Sequence, residues 1–310
     1  MVARRGSKLR IGVPRSILHY EFGGTMARFL SHLGAEVVLS PATNQAIFQA
    51  GKRVVIDELC FPIKIFAGHV AYLANQDVDK ILVPVIVGHE NNRMFPCHPR
   101  SRLVDIVRAL GICGADRLLA PAFRFDQHSL TIGGFRHLAG LLGYTEDACD
   151  RAFEATRSDA QHEPRTLGTS RNGLNIGIVG RPYVVQDNWA NNHVVHRLEA
   201  VGCQVVTEDD AEPIGYAPEE TGLHFALAAR TVALTRMWDE TPEIDGIVFL
   251  LPFNCGPDGD IARYLHRTIK TPMLTLVLDE LQSSAGLITR LEAFIDLLIR
   301  SCAVVGGQSS

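Results

Sequence analysis

The sequence predicts an α/β protein built from two doubly wound parallel-sheet domains with a helical segment between them. Three observations predict this. Short β-branched runs alternate with helical stretches along most of the chain. One run, "DKILVPVI" at 79–86, is unbroken by charge after its first two residues, as a strand buried on both faces requires. Both halves begin alike, with "LRIGVPR" and "LNIGIVGRP", so the alternation starts twice.

The elements follow in order. "LRIGVP" (9–14) is a strand ending in proline, and a helix runs through "MARFLSHLG" with Gly34 as its C-cap. "AEVVLS" (35–40) is the next strand, and "TNQAIFQAG" the next helix. "CFPIKIFAGHVAYLA" (60–74) places apolar residues at helical spacing after Pro62. Strand 79–86 follows, then the amphipathic "RSRLVDIVRALG" and the strand "RLLAPAF" (117–123). "HSLTIGGFRHLAGLLG" and "TEDACDRAFEATRSDA" read as two helices. "QHEPRTLGTSRNG" (161–173), polar and rich in turn formers, reads as a linker. The second half then runs "LNIGIVGRPY", the helix "NNHVVHRLEAVG", the strand "CQVVTED", and helices across 217–240. The strand "IDGIVFLLPF" (244–253), a helix from 258 to 268, the strand "TPMLTLVLDE" and the helix "AGLITRLEAFIDLLIRSC" complete it. The domains expected are 9–125 and 173–305, with 126–172 as the helical segment and linker.

With 310 residues, 46% hydrophobic and 21% charged, the chain has the composition and length of two ordinary globular domains. A net charge of −4 and a pI near 6.3 give no electrostatic reason to expect nucleic acid as a partner. No stretch of about 18 uncharged apolar residues predicts a membrane span. "MVARRGSKLR" is basic, but no apolar segment follows it, so it does not read as a secretory signal. The expectation is a cytoplasmic protein whose seven cysteines stay reduced rather than forming a disulfide framework.

In open α/β sheets, ligands bind beyond the carboxyl ends of the strands. Cys255, in "PFNCGPDGD", follows the strand ending at Phe253. Cys97, in "FPCHP", lies a few residues past strand 79–86, and Cys60, in "DELCFP", stands at the mouth of a helix. Each has a proline within two or three residues, which stiffens its loop. Cys113, Cys149, Cys203 and Cys302 lie in or beside periodic segments and read as structural. No C-x-x-C is present, so the closed zinc pattern is missing. Three loop thiols suit a metal centre with one open position, but from the residues alone loop cysteines are more often buried bystanders than ligands.

Six stretches decide further. They are 11–44, "DELCFPIKIFAGHVAYL", "VDKILVPVIVG", "GIVGRPYVVQDNWANNHVVHRL", "PFNCGPDGDIARYL" and "LDELQSSAGLITRLEAFID". In order, they resemble the acyl-CoA dehydratase activase-related proteins. That family is related to the 2-hydroxyacyl-CoA dehydratase subunits and the double-cubane-cluster reductases. The resemblance covers most of 9–300 and is weakest at 125–172.

The resemblance implies Rossmann-like domains and a [4Fe–4S] cluster held by Cys60, Cys97 and Cys255, with one iron open. "FPCHPRSRL" matches the family's stretch only loosely. The resemblance also implies a separate ATP-hydrolysing activase, carrying its own iron–sulfur cluster, as electron donor, and a homologous subunit as a possible partner. This chain has no G-x-x-x-x-G-K-[ST] phosphate loop and no recognisable activase domain of its own. The function implied is a cluster-binding component of an ATP-dependent low-potential reductase or dehydratase-like system. The alternative is a non-catalytic electron relay or assembly partner.

Other polar residues group around these positions. His69 and Lys64, on the helix leaving Cys60, are the candidate catalytic residues lining the cluster. The plainer readings are a satisfied core histidine and a solvated lysine. Arg15, Arg181, Tyr183 and Asp187 follow the first strand of each half, where helix N-termini suit anion or substrate binding. Asp258 is the expected N-cap of the helix after Cys255. Asp279 and Glu280 are expected at a strand end facing the crevice.

Overall fold

A computed structural model describes residues 8–90, 94–126, 129–158, 173–210, 223–281 and 284–306. The chain divides into two compact units. Unit 1 comprises Met1–Glu163 and Leu223–Ala226; unit 2 comprises Pro164–Gly222 and Leu227–Ser310.

Unit 1 opens with β1 (Arg10–Val13), a π-helical turn (His19–Gly23) and α1 (Gly24–His32). α1 ends at Leu33, and the left-handed residue that reverses the chain is Gly34, one position beyond the cap, with φ of 87°. β2 (Glu36–Leu39), α2 (Gln45–Lys52) and α3 (Phe61–Ala74) follow. Asn44 caps α2 by accepting from the Ile47 amide at 3.0 Å. α2 and α3 cross backbone to backbone. A Cβ on Gly51 would fall 1.8 Å from the Lys64 carbonyl oxygen, and one on Gly68 would fall 2.0 Å from that of Ile47. Eleven of the fourteen residues of α3 are buried, so it is enclosed on every side rather than amphipathic.

The strand expected at 79–86 is two strands, β3 (Lys80–Leu82) and β4 (Val85–His89). Pro84 lies between them and has no N–H for a ladder. Pro121 divides β5 (Leu118–Leu119) from β6 (Ala122–Asp126) in the same way. α4 (His98–Ser101) and α5 (Leu103–Ala109) lie between these pairs. The first sheet has the order β2-β1-β3-β5, all parallel. A second, three-stranded sheet is ordered β4-β6-β7, where β7 is Ser129–Leu130. Its β6–β7 pair is antiparallel, a short hairpin added to an otherwise parallel architecture.

The helices expected between the domains, α6 (Ile132–Leu141) and α7 (Glu146–Ser158), belong to unit 1. Phe135 of α6 packs its ring 4.7 Å from Phe29 of α1 and 5.2 Å from Phe123 of β6. Gly134 makes room for Phe123, which a Cβ there would meet at 2.0 Å. Of the linker expected at 161–173, all but Gly173 lies outside the described residues.

Unit 2 contains β8 (Asn175–Gly180), α8 (Pro182–Val185), α9 (Val194–Ala200) and β9 (Gln204–Val206). Then come α10 (Ala226–Asp239), β10 (Gly246–Pro252), α11 (Gly256–Thr268), β11 (Met273–Leu278) and α12 (Ser284–Gly306). The first residue of α10 counts with unit 1. The sheet order is β11-β10-β8-β9, all parallel. Numbered by position in each unit, both principal sheets run second-first-third-fourth. The matching strand openings noticed in the sequence therefore start two copies of one topology. In each, the order reverses between the first and third strands, and the crevice beyond their carboxyl ends is the place for a site.

Candidate functional site

The three loop cysteines share one local structure. Cys60 caps α3 with φ −63° and ψ 151°, Cys97 caps α4 with φ −61° and ψ 153°, and Cys255 caps α11 with φ −89° and ψ 97°. Each is extended backbone turning into a helix, and each helix carries proline in its first turn, where a missing N–H costs nothing. The sequence spells this as Cys-x-Pro three times, at Cys60–Pro62, Cys97–Pro99 and Cys255–Pro257, and at no other cysteine. That spacing is the signal that a proline merely near each cysteine understates. All three residues are half-buried, so their thiols stand at the helix N-termini with partial access to solvent. Unpaired N–H groups and the helix dipole favour a thiolate at such a position.

Each of these helix starts is fastened one turn in by a buried charged side chain. On α3 this is Lys64, whose Nζ donates to the Asp57 carbonyl at 3.0 Å and stands 3.7 Å from its carboxylate. The Lys64 side chain is 2% exposed, so it closes the loop leading to Cys60 from inside. On α4 it is Arg100, which donates through Nη2 to both carboxylate oxygens of Glu21 at 2.7 Å, with the two side chains 4% and 5% exposed. On α11 it is Asp258. The helix begins two residues earlier than expected, so Cys255 and not Asp258 is its N-cap. Asp258 turns its carboxylate inward and accepts from Arg181 Nε at 3.0 Å and from Nη2. Glu21 and Arg100 were not among the residues the sequence singled out.

The charges set the state of Cys255. Burial, then the Asp258 carboxylate, push its thiol well above the ordinary cysteine range, with Arg181 acting against both. For Arg181, burial alone would lower the pKa. The Asp258 carboxylate, with Tyr183 and Cys255, overrides it and holds the guanidinium charged.

His69 is wholly buried on α3, with Ser40 Oγ 2.8 Å from its Nδ1 and Thr43 Oγ1 3.0 Å from its Nε2. Burial, reinforced by His19 and Arg15, lowers its pKa to about 3. With both ring nitrogens engaged and no imidazolium at neutral pH, it has the surroundings of a satisfied core histidine. Lys64, likewise, has its ammonium turned onto the Asp57 loop instead of toward solvent.

The four residues expected to hold substrate are placed differently from one another. Arg15 is half-buried and donates its backbone N–H to Ser40 Oγ at 2.7 Å. Arg181 is engaged by Asp258, and Tyr183 is buried. Asp187 is buried and accepts at Oδ1 from the amides of Trp189 and Ala190, both at 3.1 Å, which shapes its own loop. Near Arg15, beyond β1 and β3, the cavity lined by Pro14, Ser16, His19 and Pro84 measures about 20 Å³, room for roughly one water. In unit 2, Asp279 does line a groove, of about 220 Å³, with Asn192, Leu287 and Arg290.

Among the described residues, neither unit gathers three or more His, Cys, Asp or Glu side chains into a group able to hold a metal ion. Cys60 and Cys97 belong to unit 1 and Cys255 to unit 2. None of the six described cysteines forms a disulfide. Among the described residues no helix is long and apolar enough to cross a membrane.

The family model described as "CoA enzyme activase uncharacterised domain" matches residues 10–210, about two-thirds of the chain. The chain belongs to this family. The match takes in Cys60 and Cys97; Cys255 lies beyond it. No curated protein matches. Among solved structures, a sugar ABC transport substrate-binding protein from Bordetella parapertussis 12822 is 14% identical, with a TM-score of 0.22, over 88% of this chain and 69% of that one. A LacI family transcriptional regulator from Arthrobacter sp. FB24, in complex with lactose, is 15% identical, with a TM-score of 0.22, over 96% of this chain and 92% of that one. Likenesses this distant carry no functional argument.

Proposed function

We propose that this member of the CoA enzyme activase family is a [4Fe–4S]-binding component of an ATP-dependent, low-potential reductase or 2-hydroxyacyl-CoA dehydratase-like system. Cys60, Cys97 and Cys255 are its ligands, and a separate ATP-hydrolysing activase is its electron donor. The observation that carries the reading is the threefold Cys-x-Pro helix start. Three half-buried cysteines cap helices from extended backbone, each followed by x-Pro, and each start is tied down by a buried charge. Soft thiolates are the donors that iron–sulfur clusters take. Cys255 is protonated in the metal-free chain, so binding there releases a proton.

Anaerobic purification or reconstitution, with iron and sulfide counted per chain, tests the ligand set. The expected count is about four of each, as one cubane cluster requires. A chain that stays colourless and iron-free under these conditions refutes the proposal. Electron transfer is tested by adding an activase with ATP and following the reduced cluster by electron paramagnetic resonance. Turnover of a 2-hydroxyacyl-CoA in the same mixture separates a dehydratase-like component from an electron relay.

A further inference from the structure

Two buried ion pairs, one in each unit, hold the same position of a cysteine-capped helix with their charges exchanged. In unit 1, the helix after β4 begins Cys97-His98-Pro99-Arg100, and Arg100 is held by Glu21 from the segment after the first strand. In unit 2, the corresponding helix begins Cys255-Gly256-Pro257-Asp258, and Asp258 is held by Arg181, the residue after the first strand. Both pairs reach the third residue of a cysteine-capped helix, and both are almost wholly buried.

Stability alone does not explain them. A buried ion pair loses so much solvation that an apolar pair of the same volume often serves as well or better. An arginine in the first turn of a helix also opposes the dipole, whereas an aspartate there complements it. What the two pairs share is the link itself: a guanidinium bonded to both oxygens of one carboxylate, through Nη2 in Arg100 and through Nε and Nη2 in Arg181. We infer that Glu21–Arg100 and Arg181–Asp258 are equivalent clamps, and that these four are positioning residues which seat the Cys97 and Cys255 thiols at the starts of their helices. The inference deepens the proposed site by naming what holds two of its ligands. The chain carries both signs of the clamp, so the sign is exchangeable and the link is not.

The test is thiol labelling with iodoacetamide in the full chain after chelator treatment, each cysteine scored by peptide mass. Arg100→Met should speed labelling of Cys97 by about tenfold, the factor set by about 1.4 kcal/mol of lost local stability, with Cys60, Cys149 and Cys203 unchanged. The exchanged pair Glu21→Arg with Arg100→Glu should bring Cys97 back near the parent rate. Arg100→Lys keeps the charge but gives up the planar guanidinium whose Nη2 reaches both Glu21 oxygens; it should label at an intermediate rate and carries the test if the exchanged chain does not fold. The inference fails if Cys97 labels at the parent rate in Arg100→Met, if every thiol speeds up together, or if the exchanged pair labels as fast as the single variant. Arg100→Lys labelling at the parent rate also overturns it. Iron is counted separately, so expected labelling in a chain that never binds iron removes the proposed function and leaves the clamps standing.

Discussion

Ser40 Oγ stands 2.8 Å from Nδ1 of the buried His69, and the same oxygen accepts the Arg15 amide at 2.7 Å. Thr43 Oγ1 stands 3.0 Å from Nε2, so each ring nitrogen of the imidazole has a hydroxyl beside it. The ring is neutral, and its pKa is about 3 instead of 6.5. A depressed folded value means the stabilisation is complete above about pH 6.5 and is lost as pH falls toward 3, because the unfolded chain takes up the proton first. Between pH 7 and pH 4.5 this residue costs about 2.5 kcal/mol of stability. Urea unfolding at both pH values checks it. His69→Gln should lose less stability than the parent over that interval, and parallel losses would show that His69 is not the group responsible.

Asp258→Ala leaves the Arg181 guanidinium buried and uncompensated. The expected cost is about 3–5 kcal/mol, as for other buried pairs deprived of one partner. Removing both charges, with Arg181→Met and Asp258→Leu, should recover most of it. Chemical denaturation of the three chains decides. A double variant no more stable than Asp258→Ala would mean that the carboxylate stabilises the unit by something other than neutralising Arg181.

Much of this arrangement was legible in the sequence, because strands buried on both faces leave unbroken apolar runs and recur in a fixed alternation with helices. The repeat of the topology showed as "LRIGVPR" and "LNIGIVGRP". What the runs did not show was where proline cuts them: Pro84 and Pro121 lie inside apolar stretches, and each ends one strand and begins another. The cysteine positions were legible as strand-end loops. Their role as helix caps was not, since Asp258 is the more usual capping residue and turned out to face inward. The partners Glu21 and Arg100 lie 79 residues apart, beyond the reach of any local pattern. His69 and Lys64 look like crevice residues in one dimension. Only the packing of α2 across α3 shows that their helix has no open face.

That crossing gives a further expectation. Gly68→Ala would bring a methyl group to 2.0 Å from the Ile47 carbonyl oxygen, and backbone cannot move aside as a side-chain tip can. The helices must separate, at a cost of about 1–3 kcal/mol or more. A thermal melt reads this directly. Gly133→Ala, with nothing within 4 Å of its added carbon, is the control and should melt close to the parent. If the two variants melt together, the close crossing of α2 and α3 is wrong.

The ligand assignment makes its strongest demand on the cysteines left out of it. Cys149 and Cys203 are buried, Cys149 inside α7 and Cys203 just before β9. Cys302 lies in α12, with its side chain outside the described residues. None of the four is followed by the x-Pro that starts the helices after Cys60, Cys97 and Cys255. Replacing any of the four by alanine removes little more than a small apolar group, at a stability cost of about 1 kcal/mol. Iron per folded chain should stay at the parent level. Alanine at Cys60, Cys97 or Cys255 should lower it sharply while the circular dichroism of the fold is kept. A parent-like iron count in Cys255→Ala would confine the ligands to unit 1. Loss of iron in Cys113→Ala, with the fold intact, would move the site from the cysteine-capped helices to the loop before β5.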